Sequence, residues 1–210
     1  MGCFLTNYHI QMYKVFFNEK PLLLTSSIDQ KPSEKQPLLF IKYVDAKGIM
    51  KALKSKKVES IILFHPDQTK LLKHFHKHFP IVEAAGGLVH HENGKYLFIY
   101  RNKKWDLPKG KINKKEDLIS AAIREVYEET NVGDLYVKKP LQTTYHLFKS
   151  NGRYKLKKTY WYFMNTGYDG LLVPQIEENI EKAIWVDKNK IPSLMQNAYA
   201  NIKLIVEEGI

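Results

Sequence analysis

The sequence predicts an α/β protein in two parts, and three observations predict it. Apolar runs of strand length, such as Leu22-Leu23-Leu24 and Ile61-Ile62-Leu63-Phe64, alternate with segments of helical spacing. A hydrophobic content of 44% with 26% charged residues belongs to a soluble globular chain, not a disordered one. Pro80 closes one helical pattern, and a strand–turn–strand pattern starts directly after it. Residues 12–79 are therefore expected to form a small basic α/β domain, and residues 80–210 a larger one. Residues 1–11 are read as a flexible extension.

MYKVFFN and PLLLTSS read as two short strands around a turn at Asn18-Glu19-Lys20-Pro21. SIDQKPSEKQP is polar, contains two prolines and is expected to be a loop, and LLFIKYV a third strand. In DAKGIMKALKSKKV, Ile49, Met50 and Leu53 share a helix face, and Asp45 is placed to cap its start. ESIILFH is a buried strand and PDQTKLLKHFHKHF a second helix. His65, His74, His76 and His78 cluster here, with His74 and His78 at the i, i+4 spacing of a metal pair. No acid or cysteine accompanies them and Lys73 and Lys77 interleave, so a basic helix surface is favoured over a metal site.

Beyond Pro80, VEAAGGLVHHENGKYLFIYRN reads as a hairpin turning at Glu92-Asn93-Gly94. KKWDLPKGKINKKED is expected to be a loop that leads into a helix over residues 117–130. QTTYHLFKSNGRYKLKKTYWYFMNT reads as a second hairpin, turning at Ser150-Asn151-Gly152. Within it Thr159, Trp161 and Phe163 alternate with Tyr160, Tyr162 and Met164, the mark of a strand covered on both faces. AIWVD is a short strand, and IPSLMQNAYANIKLIVEEG ends the chain as one helix.

The formal charge is +11, and residues 1–82 hold 13 Lys+Arg against 6 Asp+Glu. Such a surface attracts nucleic acid, membrane surfaces or phosphorylated small molecules. The alternative is a scatter of solvated lysines that keeps the chain in solution. The single cysteine, Cys3, excludes an internal disulfide and a cysteine metal cluster. It fits a reducing, cytoplasmic compartment. No run approaches the roughly 18 apolar residues of a membrane span, so no membrane association is expected. The first residues lack the basic start and apolar core of a secretory signal. Gly2 and Thr6 match a short myristoylation pattern, with Cys3 as a second acylation position, but an ordinary extension is the plainer reading.

One stretch of this basic chain is strongly acidic. Glu125, Glu128 and Glu129 stand at i, i+3 and i+4 and share a helix face, where like charges repel. Leu118, Ala122 and Val126 have core-facing spacing on another face. The acidic face must then be solvated or be offset by a cation. Hard divalent ions such as Mg²⁺ take oxygen ligands, usually a few carboxylates together with substrate phosphates.

Gly110, Glu116 and the segment from Arg124 to Val132 complete the pattern Gly-x5-Glu-x7-Arg-Glu-Val-x-Glu-Glu-x-Asn-Val. It resembles the Nudix box at every fixed position except Asn131, where the family has glycine at a helix end that wants left-handed backbone. Ala84-Ala85-Gly86-Gly87, Trp105-Asp106-Leu107-Pro108-Lys109-Gly110 and the acidic Glu177-Glu178 ahead of Trp185 extend the resemblance over about residues 83–210. It implies a Nudix α/β/α sandwich with a mixed sheet, preceded by the small α/β domain. It further implies a hydrolase that cleaves a nucleoside diphosphate linked to another group, with Mg²⁺ or Mn²⁺ as cofactor. Carried over by position, Glu125 and Glu129 would be main metal ligands, with Glu128 close by and the carbonyl of Gly110 a further ligand. Arg124 would orient Glu125, and Glu116 would brace the loop or contribute at the metal edge. Glu128, Glu177 and Glu178 are candidates for the general base.

The WDLPKG segment is similar to hydrolases of diadenosine polyphosphates and of diphosphoinositol polyphosphates. Lys103, Lys104, Lys109 and Lys111 flank the loop that should face such an anion. Tyr145, His146, Phe148, Tyr160 and Tyr162 are candidates to stack a base or touch phosphate, although core packing is favoured for each. Two other readings stand beside the hydrolase. One is a Nudix-fold nucleotide sensor without turnover, which the complete set of glutamates opposes. The other is an RNA-end-acting protein that uses the basic amino-terminal domain, although no RNA module or dense arginine patch supports nucleic acid as a partner. That domain could equally cap a site, select substrate or mediate a homodimer.

Overall fold

The structure is a computed structural model and describes residues 13–28 and 31–210. The extension and its acylation pattern lie outside the described residues. The chain forms two compact units. The first runs to Pro80 and takes in Lys149–Tyr154, and the second comprises Ile81–Phe148 and Lys155–Ile210.

In the first unit, β1 (Tyr13–Phe17) and β2 (Lys20–Thr25) pair antiparallel across a turn in which Asn18 takes a left-handed φ of 54°. β3 (Leu38–Phe40), α1 (Ala46–Lys54), β4 (Ile61–Phe64) and α2 (Gln68–His78) follow, and β2 and β3 flank β4 in parallel. The side chains of Asp45 and Asp67 cap the two helices by accepting from the Gly48 and Lys70 N–H groups. Ile49, Met50 and Leu53 are buried as the spacing predicts, together with Leu71, Phe75 and Phe79. The third strand is shorter than LLFIKYV. After Phe40 the chain winds into a 3₁₀ turn over Ile41–Tyr43, which buries Ile41 and leaves Lys42 and Tyr43 in water. A strand would have put Tyr43 on the same face as Ile41, and only one of the two is apolar enough to need cover. His65 and His74 bring their rings to 5.9 Å.

The second unit contains β5 (Ile81–His91), β6 (Lys95–Arg101), β7 (Lys104–Asp106), β8 (Lys109–Lys111), α3 (Leu118–Thr130), β9 (Tyr136–Ser150) and β10 (Arg153–Thr166) apart from their ends within Lys149–Tyr154, β11 (Ile180–Asp187), α4 (Ile191–Met195) and α5 (Ala200–Gly209). Its strands run in the order β11-β6-β5-β10-β9. β5 and β10 are parallel while β6 and β11 are antiparallel, so the sheet is mixed. Trp161 and Phe163 pack with Ile202 and Ile205 of α5, whereas Tyr162 and Met164 pack with Ala122 and Val126 of α3. β10 is therefore covered on both faces, and the unit is an α/β/α sandwich.

Two expected elements differ. The KKWDLPKGK stretch is not an open loop: β7 pairs with β6, and β8 pairs with β5 in the register Ala84↔Lys111, Ala85↔Gly110, Gly86↔Lys109. Glycine at position 86 permits this, because a Cβ there would collide with the Pro108 carbonyl and Lys109. The final helix is broken into α4 and α5. The Trp105 N–H donates to the Asn197 carbonyl at 2.9 Å, and the Asn197 side chain donates to the Lys103 carbonyl at 2.9 Å, which draws the chain out of helix at that point. Among the described residues no helix is long and apolar enough to cross a membrane.

Candidate active site

The site grows from α3 and the β7–β8 segment beside it. Asp117 caps the helix by accepting from the Ile119 and Ser120 N–H groups at 3.0 Å each. Ala121, Ala122 and Val126 bury one stripe of α3 against the sheet, which fixes where the glutamates can stand. The helix ends at Asn131 with φ 63° and ψ 14°, the left-handed conformation that glycine supplies elsewhere in the family pattern. Its amide then donates to the Tyr168 hydroxyl at 2.9 Å and to the Leu171 carbonyl at 3.1 Å. The one departure from the pattern therefore keeps the helix end and adds a tether to the following loop.

Arg124 is the hub of the outer carboxylates. Its Nε and Nη2 reach the two Glu116 oxygens at 2.7 and 2.8 Å, and Nη1 reaches Glu125 and Glu128 at 2.7 Å each. Nη2 also donates to the Lys111 carbonyl at 3.2 Å, which ties the helix to the loop. Bidentate pairing with Arg124, followed by the Asn113 N–H, holds the Glu116 carboxyl down at about 2. The same contact with Glu116, ahead of those with Glu125 and Glu128, raises the Arg124 guanidinium.

Glu125 lies directly against Gly110, where any Cβ would run into its carboxylate. Glycine is required at 110 for this close approach. Burial raises the Glu125 carboxyl and outweighs the opposing pull of Arg124.

Glu129 is the innermost acid, at 1% exposure. Its Oε2 accepts from the Lys109 backbone N–H at 2.9 Å, and its Oε1 lies 3.4 Å from Arg101 Nη1. Burial pushes its carboxyl up to about 7 despite the nearby positive charge of Lys109 and Arg101. Arg101 also donates to Glu178 Oε2 at 2.9 Å, which brings the late acidic stretch to the site. Glu177 is exposed.

Sequence reasoning did not single out Arg101 or Asp106. Arg101 was visible in one respect: it and Arg124 are two of only three arginines in a lysine-rich chain, and both pair with carboxylates of the pattern. Asp106 carried no such mark. It is buried and takes the Lys109 ammonium at 2.7 Å.

The expected substrate contacts are spread more widely. Lys109 places its backbone on Glu129 and its ammonium on Asp106. Lys103 is exposed at a left-handed turn position, and Lys104 lies 5.3 Å over the Tyr199 ring. Tyr160 donates its hydroxyl to Glu83 at 2.8 Å and packs on the α3-side core, with Lys158 4.5 Å above its ring. Tyr145 is half-buried on β9.

Among the described residues no three His, Cys, Asp or Glu side chains converge on one point. Glu116, Glu125 and Glu128 turn to Arg124, and Glu129 turns to Lys109 and Arg101. The donor set nevertheless fits a hard divalent cation in kind. It offers oxygen ligands only, and the Glu125 carboxylate already stands against the Gly110 backbone.

Comparison with known proteins gives a match of the NUDIX domain model to residues 80–206. The m7GpppN-mRNA hydrolase dcap-2 of Caenorhabditis elegans is 30% identical over 96 residues, which are 46% of this chain and 12% of that protein. Similar solved structures include a MutT protein from Methanosarcina mazei, at 24% identity over 61% of this chain and 92% of that one, with a TM-score of 0.48. An Ap4A hydrolase from Caenorhabditis elegans is 21% identical over 60% of this chain and 93% of that one, with a TM-score of 0.43.

Proposed function

The chain belongs to the NUDIX domain family and is a pyrophosphohydrolase by class, and from that premise we propose that it uses Mg²⁺ or Mn²⁺ to cleave a nucleoside diphosphate-X substrate. Diadenosine and diphosphoinositol polyphosphates are the substrate candidates, because both are highly anionic and the chain is basic. The observation that carries the reading is the contact of Glu125 with Gly110 beside a buried Glu129.

Glu125, Glu129, Glu128 and the Gly110 carbonyl would hold the cation, with Glu116 at its edge. When bound, the cation supplies phosphate neutralisation and a more acidic water. The chain's own residues do the rest. Arg124 fixes the Glu125 carboxylate by a 2.7 Å charge-assisted bond and braces Glu116 across the loop. The Lys109 N–H fixes Glu129 from the other side. Arg101 sets the position of Glu178, which with the exposed Glu128 is a candidate to accept a proton from water. Lys103, Lys104 and Lys109 contribute positive charge around the loop, and Tyr145 and Tyr160 are aromatic candidates on the hairpin.

A second reading, action on RNA ends, draws on the match to an mRNA hydrolase and on the basic first unit. One experiment addresses both. Product release is measured from diadenosine polyphosphates, nucleoside triphosphates, nucleotide sugars, diphosphoinositol phosphates and capped RNA, with Mg²⁺ or Mn²⁺ and with Glu129→Gln as control. Turnover on one class, lost in the control, is the expected result. Metal-dependent nucleotide binding without turnover would make the protein a sensor.

A further inference from the structure

β9 and β10 carry two polar side chains to which the proposed function gives no role. Among the described residues no group pairs with the buried Nδ1 of His146. An unsatisfied buried nitrogen of this kind is destabilising and rare without a purpose. Lys157, on the neighbouring strand, has no carboxylate partner among the described residues, and its ammonium rests 5.2 Å from the Phe148 ring centroid. The His146 ring lies 5.9 Å from the same Phe148 ring, so the two polar groups share one aromatic neighbour.

Both groups also lie within the electrostatic field of the active site. His146 is influenced by Lys157, Lys109 and Asp106, and Lys157 by Lys109, Arg101, Asp106 and Glu129. The nearby acids are already engaged: Asp106 by the Lys109 ammonium, and Glu129 by Arg101 and the Lys109 N–H. The amine is thus left with positive neighbours and no counter-charge of its own. That arrangement is unfavourable for the folded chain alone and becomes favourable when an anion enters.

We propose that His146 and Lys157 form a phosphate subsite beside the carboxylate helix, taking a phosphate group of the substrate other than the one attacked. Lys157 supplies the charge, and His146 supplies a neutral N–H to a phosphate oxygen. Burial, followed by the positive charge of Lys157, keeps the imidazole neutral at about 3, so it adds direction without adding charge. Burial also lowers the Lys157 ammonium to about 8, which leaves it mostly protonated at neutral pH. A carboxylate ligand would satisfy the charge equally well. A polyphosphate is favoured because the subsite belongs to the electrostatic surroundings of a pyrophosphohydrolase site, and to that extent the proposal rests on the hydrolase reading.

The test is calorimetric titration of the full chain with inorganic tripolyphosphate in chelator, so that no divalent cation contributes. Lys157→Gln is expected to weaken binding by about 10- to 100-fold, the loss of one charge-assisted hydrogen bond. Exposed Lys138→Gln, which removes equal charge from β9, is expected to change it less than about threefold. His146→Phe is expected to weaken binding by about tenfold while raising the melting temperature, since it replaces an unpaired buried nitrogen with carbon. A merely structural histidine would leave the affinity unchanged on replacement. Wild-type affinity in Lys157→Gln, or an equal loss in Lys138→Gln, would overturn the proposal, as would His146→Phe with lower stability and unchanged affinity.

The substrate panel separates this failure from failure of the hydrolase reading. Turnover lost in Glu129→Gln but with unchanged KM in Lys157→Gln would remove the subsite and keep the hydrolase. Tripolyphosphate binding lost in Lys157→Gln, with no turnover of any substrate by the wild type, would keep the anion subsite and remove the hydrolase.

Discussion

Glu116, just before α3, and Glu129, in its last turn, live under opposite conditions. Glu116 is only partly buried, takes both arms of Arg124 and the Asn113 N–H, and is held ionised down to about 2. Glu129 is buried, receives one backbone N–H and one long contact from Arg101, and is pushed up to about 7. The outer acid is satisfied by protein and needs nothing more. The inner acid carries an electrostatic cost that a cation would relieve. Fully satisfied groups brace a site, and underpaired ones mark where a ligand is expected.

The sharpest way to break this contrast is Glu129→Gln. Loss of the inner ligand is expected to lower kcat by about 10³-fold, read on the best substrate of the panel. In chelator the same variant should melt higher than wild type at pH 8 and no differently at pH 4. The sign follows from the raised carboxyl. The folded chain binds the extra proton between the ordinary value of 4.5 and about 7, so the cost is absent below that window and complete above it.

Next in size is Gly110→Ala. Its Cβ would occupy the space of the Glu125 carboxylate, so kcat is expected to fall about 10²-fold with the fold retained by circular dichroism. Arg124→Lys should follow at about tenfold, because one ammonium cannot hold Glu116 bidentate and also reach Glu125 and Glu128. It should also make the protein more acid-sensitive. The Glu116 contribution is present above 4.5 and is lost as pH falls toward about 2, and a weaker partner moves that loss to higher pH.

The smallest effect is at the helix end. Asn131→Gly should stay within about 0.5 kcal/mol in urea unfolding, since glycine accepts φ 63° freely. Asn131→Ala should cost about 1–2 kcal/mol, from the left-handed backbone and the lost contacts to Tyr168 and Leu171.

Much of this was legible in the residues. The period of Leu118, Ala122 and Val126 placed the apolar face of α3, and the order of acids placed its other face. The alternation in TYWYFM disclosed a strand covered on both sides. Asn131 was readable as a left-handed helix end, because few other residues tolerate that backbone. The β7 and β8 pairings were not readable, because three-residue strands carry no period and depend on what Gly86 leaves open. Nor was the break after α4, which arises from hydrogen bonds between Trp105, Lys103 and Asn197, far apart in sequence. Lys109 was legible as a cation near the box, but its partner Asp106 appears only when both are buried together. Asp106 and Arg101 act through contacts that no spacing rule contains.

The most direct test of the central contrast is a Mn²⁺ titration of wild type, Glu129→Gln and Glu116→Gln at pH 7.5, followed by calorimetry. Glu129→Gln should bind Mn²⁺ at least about tenfold more weakly than wild type, and Glu116→Gln should lose clearly less. Equal affinity in wild type and Glu129→Gln would contradict the assignment of the inner glutamate as a metal ligand.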